Sequence, residues 1–154
     1  MNLSKYGLSE ELLTIFDHLT DEQKIETTIQ KYSTQDVLRI FTYYELEQHT
    51  YAKKLLLKKY RNNPYALFCY SRDIIVGRWL EAEPIIMTNA HCAYIYSCDV
   101  IKGRWPEAEP TIMADPYYTH AYSRDVIKGR WPEAEPALMK SAFLWQFYKD
   151  RFKL

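Results

Sequence analysis

Carboxylates, thiols, imidazoles and a lysine run are the residues of this chain with chemistry to offer. Glu107 and Glu109 have the composition of an acid–base couple, but residues two apart on a helix point away from each other. The pair also returns as Glu81/Glu83 and Glu133/Glu135. A couple that moves protons needs two carboxylates in different environments, not three copies of one arrangement. The expected role is a solvated helix start, where carboxylates match the positive end of the helix dipole. His91, Cys92 and Cys98 raise the question of zinc. A structural zinc takes four ligands, usually in close pairs, whereas His91 and Cys92 are adjacent and His120 belongs to another segment. No metal and no cofactor are expected. Cys69, Cys92 and Cys98 read as reduced, mostly buried thiols. The chain carries no phosphate-binding glycine loop, nucleophile elbow or zinc-protease helix motif. It therefore reads as a non-enzyme; a catalytic reading would need a deep pocket around Asp17, His18 and Glu22.

The segment Ala52 to Arg61 holds Lys53, Lys54, Lys58, Lys59 and Arg61 with no acid. It reads as a helix with Leu55, Leu56 and Tyr60 turned inward and Lys54, Lys58 and Arg61 outward. The alternative is an electrostatic contact with nucleic acid or an acidic protein. Over the whole chain 20 basic residues balance 20 acidic ones, which counts against nucleic acid. No apolar run approaches the roughly 18 residues of a membrane span, and the N-terminus lacks a cationic start followed by an apolar stretch. The expectation is a cytoplasmic chain without membrane contact.

The elements that would position these groups come from an internal repeat. Asn63 to Thr88, Asn89 to Ala114 and Asp115 to Lys140 align without a gap at a spacing of 26 residues, and Asp99 to Pro110 recurs identically at Asp125 to Pro136. A truncated fourth unit begins at Ser141. Asn63, Asn89, Asp115 and Ser141 are helix N-caps, with Pro64 and Pro116 at the first helical position. A first helix of about twelve residues follows, with inward positions at 67, 70 and 74. Gly77, Gly103 and Gly129 stand where a left-handed helix stop is expected. A short second helix should begin near Glu107 or Ala108, with Pro110 in its first turn.

Helices this short are marginal alone, so the units must stack on one another. The fold class is all-α: an α-solenoid of helix–turn–helix repeats with a 26-residue period and an N-terminal helical cap. The divisions are 1–62 for the cap, 63–140 for three repeats and 141–154 for a C-terminal capping helix. Three stacking ladders are expected: Tyr70/Tyr96/Tyr122, Trp79/Trp105/Trp131 and Met87/Met113/Met139. In the cap, Ser9 should start a helix to Leu19. Thr20 should form a capping box with Gln23, helices should cover Gln35–Gln48 and Tyr51–Tyr60, and Asp73 and Asp125 should join arginines in an inter-repeat ladder.

The phrase YSRDVIKGRWPEAEP resembles a tandem repeat of tailed-phage and large-virus proteins of uncharacterised function, whose usual form is close to YARDVIKGRWPEAEPYIM. The likeness spans Asn63 to Lys140; it departs at Ile75-Val76, Leu80 and Cys98. It implies a viral origin and an interaction module, and no catalytic residue is carried over. By analogy such a protein binds and blocks a host protein, for instance of a defence system, in the cytoplasm of the infected cell. A structural virion component is the other reading.

Positions that vary between units are the expected partner-binding residues: Ala66/Cys92/Tyr118, Phe68/Tyr94/His120 and Leu67/Ala93/Thr119. Trp145, Phe147 and Tyr148 form a second candidate surface, for a partner or for a homodimer through the C-terminal end.

Overall fold

The computed structural model describes residues 10–46 and 50–154, with backbone alone at 10–13, 34, 38 and 42. The expected Ser9 cap lies outside the described residues, and the helix expected over Gln35–Gln48 ends earlier, at Tyr44, where Glu45 turns left-handed. Those described are helical without strands: α1 (Glu10–Asp17), α2 (Asp21–Lys31), α3 (Thr34–Tyr44), α4 (Thr50–Lys59), α5 (Pro64–Tyr70), α6 (Glu83–Ile86), α7 (Ala90–Tyr96), α8 (Glu109–Met113), α9 (Pro116–Tyr122), α10 (Glu135–Leu138) and α11 (Ala142–Phe152). The elements α5, α7 and α9 start 26 residues apart, as do the π-helical turns that prolong them, Ser71–Ile75, Ser97–Ile101 and Ser123–Ile127. Each π turn packs on the next, and α5, α7 and α9 pack side by side. One apolar cluster runs from Ile25 through Phe41 and Leu56 to Ala134.

Side-chain caps start the first helix of each repeat, whereas α6, α8 and α10 have none. The Asn63 and Asn89 side chains accept from the Ala66 and Cys92 N–H groups, each at 3.0 Å, and Asp115 accepts from Tyr117 at 2.8 Å. Thr20 and Gln23 exchange both bonds of the capping box. Helix ends differ from expectation. In the three repeats the left-handed residues are Val76, Lys102 and Lys128, at φ 52°, 58° and 55°, each one before the glycine. The Val76 N–H donates to the Ser71 carbonyl five residues back, and the Gly77 N–H donates to the same carbonyl six residues back. The wider turn brings the left-handed stop one residue forward. A β-carbon at any of the three glycines would meet nothing closer than 3.8 Å, so the structure gives no steric reason for glycine there. Ser71 and Ser97 also donate their hydroxyls to carbonyls four residues back, whereas Ser123 donates to Gly129. The turn is the same in all three, so this side-chain bond is not its cause.

Tyrosine joins one unit to the next. The Trp79 N–H donates to the Tyr96 hydroxyl oxygen at 2.9 Å, and that hydroxyl donates to Glu83 Oε1 at 3.0 Å. Glu83 in turn takes both ends of the Arg78 guanidinium, at 2.8 and 2.7 Å. The set recurs as Trp105–Tyr122–Glu109–Arg104 and Trp131–Tyr148–Glu135–Arg130. The rings of Tyr96 and Tyr122 lie 5.0 and 5.2 Å from the tryptophans of their own units. Each tyrosine therefore packs within one unit and bonds to the one before it. Burial pushes the Tyr96 and Tyr122 hydroxyls up to about 12, so they stay protonated as donors.

This corrects the reading of the glutamates. Glu83 and Glu109, only 8% exposed, are buried links of the clamp; Glu81 and Glu107 are the solvated ones. The methionine ladder is incomplete: Met87 and Met113 are half-buried and Met139 is exposed. The aspartate ladder is also partial. Arg72 binds its neighbour Asp73 and reaches Asp99 of the next unit at 3.9 Å, while Arg124 binds Asp125 beside it.

Tyr70 stands at the head of the tyrosine ladder with no such unit before it. Its hydroxyl is buried and has no hydrogen-bond partner among the described residues; the Tyr60 ring lies tilted at 5.5 Å. Tyr122→Phe should therefore destabilise the protein by about 1–3 kcal/mol, since it strands a buried N–H and a carboxylate. Tyr70→Phe should change stability by less than about 0.5 kcal/mol. Chemical denaturation of the two variants checks the contrast.

Candidate functional surface

The outer face of α5, α7 and α9 brings part of the expected partner-binding set together. Tyr94 and Tyr118 lie 6.0 Å apart across two units, and His91 stacks on Tyr118 at 5.3 Å. The Tyr94 hydroxyl donates to Asp125 Oδ2 at 2.6 Å, and Asp125 also holds both ends of Arg124 at 2.7 and 2.6 Å. These bonds hold the Asp125 carboxyl below the usual carboxylate range, the guanidinium contributing most. His120 is half-buried beside this group. Its pKa is lowered by burial first, then by Arg124 and Arg151, with Asp125 opposing.

The rest of the expected set is not available on this surface. Ala66, Phe68 and Cys92 are buried, as are Leu67, Ala93 and Thr119. They fill the continuous core instead, where a variable position changes packing rather than recognition. Burial drives the Cys92 thiol up to about 11. All three cysteines are free thiols; Cys98 is the one only half-buried. Tyr148 is buried as the last clamp tyrosine, with Trp145 stacked on it at 5.6 Å. Trp145 is half-buried, while Phe147 is exposed and meets Phe143 at 4.7 Å. Met139 and Leu154 are exposed as well.

A row that sequence reasoning passed over lies at the second helical position of each unit. Tyr65, His91, Tyr117 and Phe143 are spaced 26 residues apart. Tyr65 is 53% exposed, Tyr117 62% and Phe143 70%, and His91 is exposed as well. Tyr65 stacks on His91 at 6.4 Å. The signal available beforehand was four aromatic rings at one repeat position outside the 67/70/74 inward set.

The basic segment divides. Lys59 is exposed, yet its ammonium donates to the Ile29 carbonyl and, at 3.4 Å, to that of Tyr32, satisfying carbonyls at the end of α2. Lys54, Lys58 and Arg61 are exposed, and Lys53 is half-buried. Near the candidate catalytic residues Asp17 accepts a bond from Tyr44 at 2.9 Å, while His18 and Glu22 are exposed. No cluster of three metal-binding side chains and no helix long and apolar enough to cross a membrane occurs among the described residues. Comparisons with protein-family models, curated proteins and solved structures returned no match.

A lowered histidine pKa means that the fold favours neutral imidazole. The stability His120 contributes is present above 6.5 and lost as pH falls through its folded value. An NMR titration should place the His120 midpoint below 6.5, with folding stability declining over the same range.

Proposed function

We propose that this chain is a non-enzymatic, phage-encoded α-solenoid with a 26-residue period that binds and blocks a host protein, a component of a defence system being the target by analogy. The observation that carries the reading is the exposed aromatic row Tyr65, His91, Tyr117 and Phe143. Rings held in water at one position in four successive units add little to the core, whereas aromatic anchors dominate binding energy at protein interfaces. Tyr94 and Tyr118 border the row and extend it toward Asp125. The likeness of the YSRDVIKGRWPEAEP phrase to viral repeats supplies the viral origin and, with it, the cytoplasm of an infected cell as the place of action.

Two further readings have observations of their own. Lys54, Lys58 and Arg61 leave a cationic face on and beyond α4 that nucleic acid would suit. The exposed Phe143–Phe147 pair on α11 would suit a second copy of the chain or a virion contact.

The test is a capture experiment from nuclease-treated host lysate with the wild type and a Tyr65→Ser/His91→Ser/Tyr117→Ser variant. The row should be dispensable for folding, so the thermal melt should move by only a few degrees. Retention of a stoichiometric host protein should fall at least tenfold, a loss of about 1.4 kcal/mol. Equal retention by both proteins would remove the row from the account. Loss of every partner on nuclease treatment would favour the cationic face instead.

A further inference from the structure

Two grooves between successive π turns can be compared residue for residue. The first is lined by Arg72, Val76, Gly77, Asp99, Val100 and Lys102 and encloses about 80 Å³. Twenty-six residues on, Cys98, Lys102, Gly103, Asp125, Val126 and Lys128, with Ser97, enclose about 230 Å³. Two of the six paired positions differ in identity: Arg72 becomes Cys98, and Val76 becomes Lys102. The first change removes a guanidinium from the groove and the second adds an ammonium.

The unit interface is kept while the space is vacated. In the first groove Arg72 rides over the Phe68 ring at 4.8 Å and reaches Asp99 across the interface. In the second, the residue equivalent to Phe68 is Tyr94, and its hydroxyl makes the cross-interface bond to Asp125. Phe with Arg has been exchanged for Tyr with Cys. The interface contact survives the exchange and a cavity appears.

The charge of that cavity follows from its bonds. Both Asp125 oxygens are taken by Arg124, and one also by Tyr94, so this carboxylate is already neutralised. Lys102 and Lys128 make no ion pair among the described residues. Both lie at the left-handed ends of π turns, which fixes where their stems leave the backbone. Two ammonium groups without counter-charge flank a cavity lined by Ser97, Cys98 and Val126.

We propose that the groove between the second and third units is an oxyanion site, in which Lys102 and Lys128 hold a phosphate or carboxylate group in the space left by the Arg-to-Cys exchange. The site goes beyond the aromatic-row reading and does not depend on it; its test needs no host protein.

The test is a titration of the full chain with inorganic phosphate, and separately with glutamate, at constant ionic strength, followed by amide NMR. Saturable shifts are expected at Lys102, Gly103 and Lys128, with the first groove unmoved at Val76 and Gly77. Saturation by phosphate at the lower concentration would identify a phosphate-bearing guest, and by glutamate a carboxylate-bearing one. Cys98→Arg/Lys102→Val rebuilds the first groove in the second from residues the repeat already uses, and should weaken binding at least tenfold. Cys98→Ser keeps the cavity and should bind as the wild type does. Lys128→Met, at an exposed position, should also weaken binding and stands in if the double variant fails to fold. Shifts that grow linearly with either anion, or a rebuilt groove or Lys128→Met variant that binds like the wild type, would overturn the site.

Discussion

A buried tyrosine hydroxyl that accepts from one backbone N–H and donates to one carboxylate is the bond on which the stacked units depend. A unit's second helix has only four or five residues and could not hold itself. Its approach is a stretch outside any α-helix, from Gly77 to Ala82 or its equivalents, whose backbone groups need partners once covered. The Tyr96 hydroxyl supplies one to Trp79, and Glu83 with Arg78 anchors that hydroxyl from the other side. The tyrosine comes from the following unit, so the turn of each unit is completed by its successor. That explains why the truncated fourth unit retains Tyr148 although its flanking residues diverge: Trp131 would otherwise lose its partner. Tyr70 has no such unit before it, and its buried hydroxyl takes no part in a clamp among the described residues.

Much of this was legible from residue types. The N-caps at Asn63, Asn89, Asp115 and Ser141, the prolines after two of them and the inward tyrosines all follow from local rules, and each sits where those rules put it. The tryptophans and tyrosines read as packing because their positions do not vary. What escaped has a common cause. The π turn adds a residue without altering the pattern of apolar positions, so the left-handed stop was placed on glycine instead of Val76, Lys102 and Lys128. Glu107 and Glu109 look alike in sequence; only the path of the turn puts Arg104 and Tyr122 on the second and leaves the first in water. Variation between units was read as a sign of exposure, but Ala66, Phe68 and Cys92 vary inside the core, where Cys and Ala exchange at little cost in volume.

The functional surface separates from the packing surface along the first helix of each unit. Positions 96, 122 and 148 are spent on the clamp. Positions 65, 91, 117 and 143 carry rings that the clamp does not use. Beyond both lies position 98, where the repeat's arginine is missing and Tyr94 has taken over its bond across the interface. A repeat array can change one such site without disturbing its neighbours, because each unit contacts little beyond the next. Both the exposed row and the open groove draw on that independence.

The central claim is that tyrosine from the following unit closes each turn. Native-state amide hydrogen exchange at Trp79, Trp105 and Trp131 tests it most directly, because these N–H groups belong to no helix and donate to the tyrosine hydroxyls. The account predicts protection comparable to the amides of α7 and α9, lost only when the stack itself opens. Exchange at the rate of an exposed loop at these three amides would contradict it.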